Sequence, residues 1–245
     1  MASNATLPAI TIVIEWENAI DVEDKWTSAA MAALEREIAD VAPCMAAKPR
    51  IMYLYDRNAV DPEVIEKALA STAPRLKDLA DLEVIPTDGL TYYKLKNYGI
   101  GRAKTDLSIM LDSDAAPQPG WLENLIKPFA DPKIMAVGGF TVLGYDDLLS
   151  KTFALSWIFD LREERAKTLK REKIHANNCA VRTDFFRANP FPDLPAAMGI
   201  IFGFYGLGLV GELASALTRS FDPLPAPKKA KPPKSPAAKR EAAAA

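Results

Sequence analysis

Asp112 and Asp114 end an apolar run, Leu107-Ser108-Ile109-Met110-Leu111, with only Ser113 between them. Two carboxylates this close disfavour each other's ionisation. A divalent cation reconciles them if it lies between the pair and a phosphate-bearing ligand, because Mg²⁺ is typically held by one or two carboxylates plus phosphates and waters. Such an ion takes up charge growing on a departing phosphate oxygen. The same spacing also fits a solvated turn at a strand end. Other site chemistries are poorly supplied. A single histidine (His175) and two distant cysteines (Cys44 and Cys179) offer neither a Ser-His-Asp triad nor a cysteine-built zinc site. The metal expected at Asp112 and Asp114 is therefore a hard ion with oxygen ligands, Mn²⁺ or Mg²⁺.

Two further polar turns follow apolar runs. Thr11 to Ile14 stops at Glu15-Trp16-Glu17-Asn18, and Ile51 to Tyr55 stops at Asp56-Arg57-Asn58. These runs are continuous instead of alternating, as expected for strands covered by helices on both faces. Helical spacing of Trp26, Ala30, Leu34 and Ile38 predicts a helix over Val22 to Val41. Asp61-Pro62-Glu63 reads as a helix start: an N-cap, a proline at the first position and an acid in the first turn. A strand at Leu82 to Ile85, a helix over Tyr92 to Ala103, a helix near Trp121 to Phe129 and a strand at Lys133 to Val137 complete the first part. The helix over 92–103 is read with Lys94, Lys96 and Arg102 on its polar face. The expected fold is α/β, an open, mainly parallel sheet flanked by helices, in which ligands sit beyond the carboxyl ends of the strands. Glu15 to Asn18, Asp56 and Asp112 to Asp114 all fall at such ends.

A chain of 245 residues with net charge −2 suits a globular domain and gives no general field for nucleic acid. Few cysteines point to a reducing, cytoplasmic compartment, and the N-terminal residues carry no signal-peptide pattern. No GxxxxGK phosphate loop occurs. The second part is less regular: an amphipathic helix over Asp147 to Lys173, a strand over Ile174 to Val181 that includes His175, and a short helix at Phe185-Phe186. Leu194 to Gly211 is uncharged and glycine-rich, and Pro223 to Ala245 is a Pro, Ala and Lys tail with little to bury. The domains expected are 1–193, an apolar helical segment over 194–220, and a disordered tail over 221–245.

The stretches VIEWENA (13–19), KNYGIGRAKTDLSIMLDSDAAPQPGWLENLIKPFADPKIMAVGG (96–139) and NNCAVRTDFFRANPFPD (177–193) resemble family 2 glycosyltransferases of the GT-A fold. The resemblance implies metal-assisted, inverting transfer of a sugar from a nucleotide-diphosphate donor, UDP-sugar favoured, to a lipid-linked or polysaccharide acceptor. It implies that Asp114 coordinates the metal, that Asp112 shares the ion or faces the ribose, and that Glu15, Trp16, Glu17 and Asp56 cradle the nucleoside. Asp56 could equally cap its own loop. Lys96 would reach the diphosphate or remain a solvated helix residue. Asn177 and Asn178 would lie on the acceptor side, and Trp121 reads as core packing.

The family's Glu-Asp base motif, expected shortly past the NPFPD-like segment, is absent, and Asp193 is the nearest carboxylate to take the acceptor's proton. The C-terminal part therefore looks atypical and shortened, and a non-catalytic nucleotide- or partner-binding relative is the alternative. Eighteen residues from Leu194 extend about 27 Å as a helix, near the thickness of a bilayer core. The basic tail (Lys228, Lys229, Lys231, Lys234, Lys239, Arg240) and a sugar-nucleotide site both belong in the cytoplasm, so one span fits poorly. A helix on the inner membrane face, a re-entrant segment or a core helix fits better.

Overall fold

The computed structural model describes residues 7–142, 152 and 174–192. Six strands form one sheet: β1 (Ile10–Glu15), β2 (Arg50–Asp56), β3 (Asp81–Thr87), β4 (Leu107–Asp112), β5 (Ala136–Gly138) and β6 (Asn178–Arg182). Their order is β3-β2-β1-β4-β6-β5. Strands β1 to β4 run parallel, while β6 is antiparallel to both β4 and β5. The expected mainly parallel α/β sheet is present. Strand β6 starts at Asn178, later than expected, so His175 precedes the strand instead of lying in it.

Seven α-helices are described: α1 (Glu17–Asp21), α2 (Asp24–Val41), α3 (Pro62–Thr72), α4 (Leu76–Leu79), α5 (Tyr92–Arg102), α6 (Trp121–Ile126) and α7 (Thr183–Ala188). The start of α3 is as the sequence predicts, with the Asp61 carboxylate accepting from the Glu63 amide at 3.0 Å and Pro62 first in the helix. Residues 143–151, 153–173 and 193–245 lie outside the described residues. The helix expected over Asp147 to Lys173, the 194–220 segment and the 221–245 tail therefore fall there. Among the described residues no helix is long and apolar enough to cross a membrane.

Both faces of the sheet are apolar, which is why the strands read as continuous runs. Ile10, Ile12 and Ile14 of β1 pack with Met31, Leu34 and Ile38 of α2 on one face. Val13, between them, joins Met52, Leu54, Met110, Leu95 and Ile100 on the other. Helix α5 closes onto that second face because Gly99 has no side chain. A Cβ there would lie 2.4 Å from Val13 Cγ1 and 3.0 Å from Leu54 Cδ1. Overpacking a filled core typically costs about 1–3 kcal/mol. Gly99→Ala is expected to lose about that much in urea unfolding, and an unchanged midpoint would show that α5 can back away freely.

Candidate functional site

The register of β1 on β4 sets Glu15 directly beside Asp112 at the carboxyl rim of the sheet. Asp112 is buried and heavily bonded. Its Oδ1 accepts from Lys96 Nζ at 2.7 Å and from the Tyr92 hydroxyl at 2.8 Å, and its Oδ2 accepts from Asn18 Nδ2 at 3.0 Å. Lys96 is 0% exposed and also lies 4.4 Å from the centre of the Tyr92 ring. The expectation of a solvated Lys96 is overturned. Positions 92, 96, 99 and 100 share one helical face, and that face packs on the sheet. Its ammonium is spent on Asp112.

Glu15 is 0% exposed. Its Oε2 accepts from the Asn18 amide at 3.1 Å, and its Oε1 is buried with no partner. Burial raises its pKa to about 8 against the pull of Lys96, with Asp112 adding to the rise. The carboxyl is thus largely protonated at neutral pH, which lets it sit beside the Asp112 side chain. Ser113 Oγ and Asn177 Oδ1 are likewise buried without partners, and the Asn177 carbonyl accepts from the Asp112 amide at 3.0 Å. Asp112 is therefore ringed by polar atoms that have capacity left.

Asp114 differs from its neighbour. It is half-buried, and burial followed by the Asp112 charge pushes its pKa up. Its own backbone amide donates to it, and among the described residues no ion pair reaches it. No cluster of three or more His, Cys, Asp or Glu side chains suited to a metal occurs among the described residues. A hard cation that shares a diphosphate needs fewer protein ligands than that. An anionic oxygen donor fits such an ion, and Asp114 supplies one at the rim, where the pull of Lys96 is the smallest of the influences on it.

The loop after Asp114 is anchored from α2. Glu37, 1% exposed, accepts from the Gly120 amide at 3.1 Å and the Leu122 amide at 3.0 Å, capping α6. Arg36 donates to the Pro117 carbonyl at 3.1 Å. Gly120 adopts φ +80°, a conformation that favours glycine. Sequence reading missed Glu37, although its position three after Leu34 and four before Val41 put a carboxylate on the apolar face.

Across the sheet, Asn178 is buried. Its Oδ1 accepts from Trp121 Nε1 at 2.8 Å, and its Nδ2 donates to the Phe140 carbonyl at 3.2 Å. Gly139 makes room for it, since a Cβ there would lie 2.4 Å from Asn178 Nδ2. Trp16 is buried edge-on against Tyr53, with ring centres 5.9 Å apart. Glu17 is exposed at the first turn, yet neighbouring atoms strip part of the water from its carboxyl, and this partial desolvation, followed by the Asp21 charge, raises its pKa. Asp56 accepts from the Asn58 amide at 3.0 Å and from its side chain at 3.1 Å, which caps the loop and lowers its pKa. The structure thus brings Glu15, Lys96, Asp112, Asn177 and Asn178 around one strand end and leaves Glu17 and Asp56 on the adjoining rim. Asp193 lies outside the described residues.

Residues 59–191, more than half of the chain, match Glycosyl transferase family 2. The chain belongs to that family. Many solved structures share its fold. A mannosyltransferase from Pyrobaculum calidifontis, solved with GDP-Man and Mn²⁺, aligns with TM-score 0.51 and 20% identity over 79% of this chain and 50% of its own. TarS of S. aureus, solved over residues 1–349, aligns with TM-score 0.50 and 13% identity over 77% of this chain and 52% of its own. This family 2 chain therefore spans about half the length of the structures it matches. No curated protein matches it. Its sheet and flanking helices are those of the GT-A fold, and the Asp112-Ser113-Asp114 turn closes that fold's fourth strand.

Proposed function

We propose that this chain transfers a sugar from a nucleoside-diphosphate donor to a lipid-linked or polysaccharide acceptor, with inversion at the transferred carbon. The observation that carries this reading is the Asp114 carboxylate, half-buried at the rim of a family 2 domain and without a salt bridge among the described residues. The Pyrobaculum mannosyltransferase binds GDP-Man and Mn²⁺, which supports a nucleotide-sugar donor and a divalent ion here too. UDP-sugars remain the favoured donors.

In this reading Asp114 holds Mn²⁺ or Mg²⁺ beside Asp112. When bound, such an ion supplies Lewis-acid stabilisation of the leaving diphosphate. The chain's own residues do the rest. Glu17, Trp16, Glu15 and Asp56 border the space for the base and ribose, and Glu37 fixes the turn that presents Asp114. Asn177 and Asn178 border the acceptor side. Asp193 takes the proton from the attacking hydroxyl. The work takes place in the cytoplasm, at the inner face of the membrane. The absence of a Glu-Asp pair past residue 193 favours a second reading: a relative that binds nucleotide or a partner chain without turnover.

One experiment separates them. Thermal unfolding is followed with UDP, GDP and their sugar conjugates, with and without Mn²⁺, alongside donor hydrolysis. At a ligand concentration about 100 times the Kd, stabilisation near 2.7 kcal/mol is expected only with the metal. It should vanish in Asp114→Ala. Stabilisation without hydrolysis or transfer selects the non-catalytic reading, and no stabilisation by any nucleotide rejects both nucleotide readings.

A further inference from the structure

The end of the sheet opposite the Asp112 turn carries a cavity of about 440 Å³, a size that suits a small ligand. Lys104 to Asp106 lead into β4 on one side of it, and Arg182 ends the antiparallel β6 on the other, paired with Leu107. From Leu107 to Asp112 the strand runs about 17 Å at roughly 3.3 Å per residue. None of the residues placed at the nucleotide rim lines this cavity. Arg182 is its fixed element. Its Nε donates to the Ile134 carbonyl at 2.9 Å, and its Nη2 to the Phe129 and Asp131 carbonyls at 3.0 and 3.2 Å. The Asp131 carboxylate accepts from the Lys133 amide instead. These neutral partners orient the guanidinium without cancelling its charge, and among the described residues Nη1 has no hydrogen bond and the group no ion pair. Arg50, Arg57 and Arg75, by contrast, each meet a carboxylate. Lys104 also lines the cavity without an ion pair, although its charge reaches the Glu83 carboxylate that Arg50 holds. Arg187 is the third cation, bound to Asp184 at 3.1 Å and to the Ala103 carbonyl. Two acids oppose them: Asp184, spent on Arg187, and Asp106, exposed to screening water. One positive charge is left over. Met135 and Phe185, 38% and 42% exposed, add apolar lining.

We propose that this cavity is a second ligand site, which takes a phosphate group carried on a small organic body. Arg182 offers Nη1 to a phosphate oxygen, Lys104 and Arg187 add charge, and Met135 and Phe185 cover the body. A guanidinium held in advance loses little freedom on binding, and its planar fork matches phosphate geometry. The joined charged and apolar walls fit a phosphate ester better than the bare ion. A soluble ester and a phospholipid headgroup present that same chemistry. The site needs neither a metal nor Asp114, so it stands apart from the transferase reading.

The test uses the full chain at fixed ionic strength without divalent metal. Glycerol 3-phosphate is titrated calorimetrically as the soluble probe, and phosphatidylcholine vesicles with and without phosphatidic acid are co-sedimented as the lipid probe. Lys104→Gln changes an exposed side chain that makes no ion pair, so it should unfold at the parent's temperature yet weaken binding about three- to tenfold. Arg182→Lys keeps the charge but loses the fork and should weaken binding further, with thermal unfolding reporting whether its carbonyl anchors hold. Asp114→Ala should bind like the parent. Binding of glycerol 3-phosphate assigns a soluble ester. Binding only to vesicles with phosphatidic acid, reduced by Lys104→Gln, assigns a headgroup. No binding in either arm, binding that Lys104→Gln leaves unchanged, or binding that Asp114→Ala removes overturns the proposal.

Discussion

Replacing Glu15 by Gln is expected to make the protein more stable at pH 8 and to flatten its dependence on pH. The reasoning follows the proton. In the unfolded chain the carboxyl titrates near its ordinary value of 4.5, and in the fold near 8, because burial disfavours the charged form. The folded state therefore holds this proton over the interval between those values, where the unfolded state has released it. Stability from this group is fully present below the unfolded value and is lost as pH rises through the interval, by at most about 1.4 kcal/mol per pH unit. Gln keeps the volume and the acceptor for the Asn18 amide but cannot ionise. Urea unfolding from about pH 5 to 8 should show the parent falling relative to the variant, with the gap reaching roughly 3 kcal/mol at the alkaline end. Equal slopes in the two proteins would mean that Glu15 is already charged in the fold.

Removing Glu37 should cost nearly as much. Its two oxygens satisfy the Gly120 and Leu122 amides at the start of α6, in a position 1% exposed. Glu37→Leu fits the apolar face but strands both amides. Each hydrogen bond to a charged acceptor is worth about 1.5–3 kcal/mol, so a loss of roughly 3 kcal/mol in chemical unfolding is expected. The turn carrying Asp114 would lose its anchor as well, so the proposed metal-dependent nucleotide binding should weaken with it. A variant of parental stability would show that water replaces the carboxylate there.

Much of the fold was legible because burial on both faces of a parallel sheet writes itself as unbroken apolar runs. Thr11 to Ile14, Ile51 to Tyr55 and Leu107 to Leu111 all became strands. The last two strands were harder. The strand expected at 133–137 forms at Ala136–Gly138, and β6 runs against its neighbour, a pairing that composition does not encode. At the site, the aspartate pair and the family resemblance pointed to the end of β4, where Lys96, Tyr92 and Asn18 gather on Asp112. The partnerships within it stayed hidden, since Asn18 and Asp112 are 94 residues apart in sequence and meet only through the sheet. Lys96 and Glu37 were each within reach of helical counting, because each lies on the buried face of its helix. A charged residue on such a face signals a partner, even when the partner itself cannot be read.

One small clasp bears on how such proteins diversify. The Asn97 side chain grips Phe191 by both backbone atoms, donating to its carbonyl at 2.8 Å and accepting from its amide at 3.0 Å. An amide side chain here imitates a neighbouring strand, and it sits on the residue next to Lys96. Whatever polypeptide follows Phe191 thus departs from a fixed berth on α5. Recombination at that point could exchange one downstream module for another while the upstream half kept its geometry, a ready-made seam for shuffling.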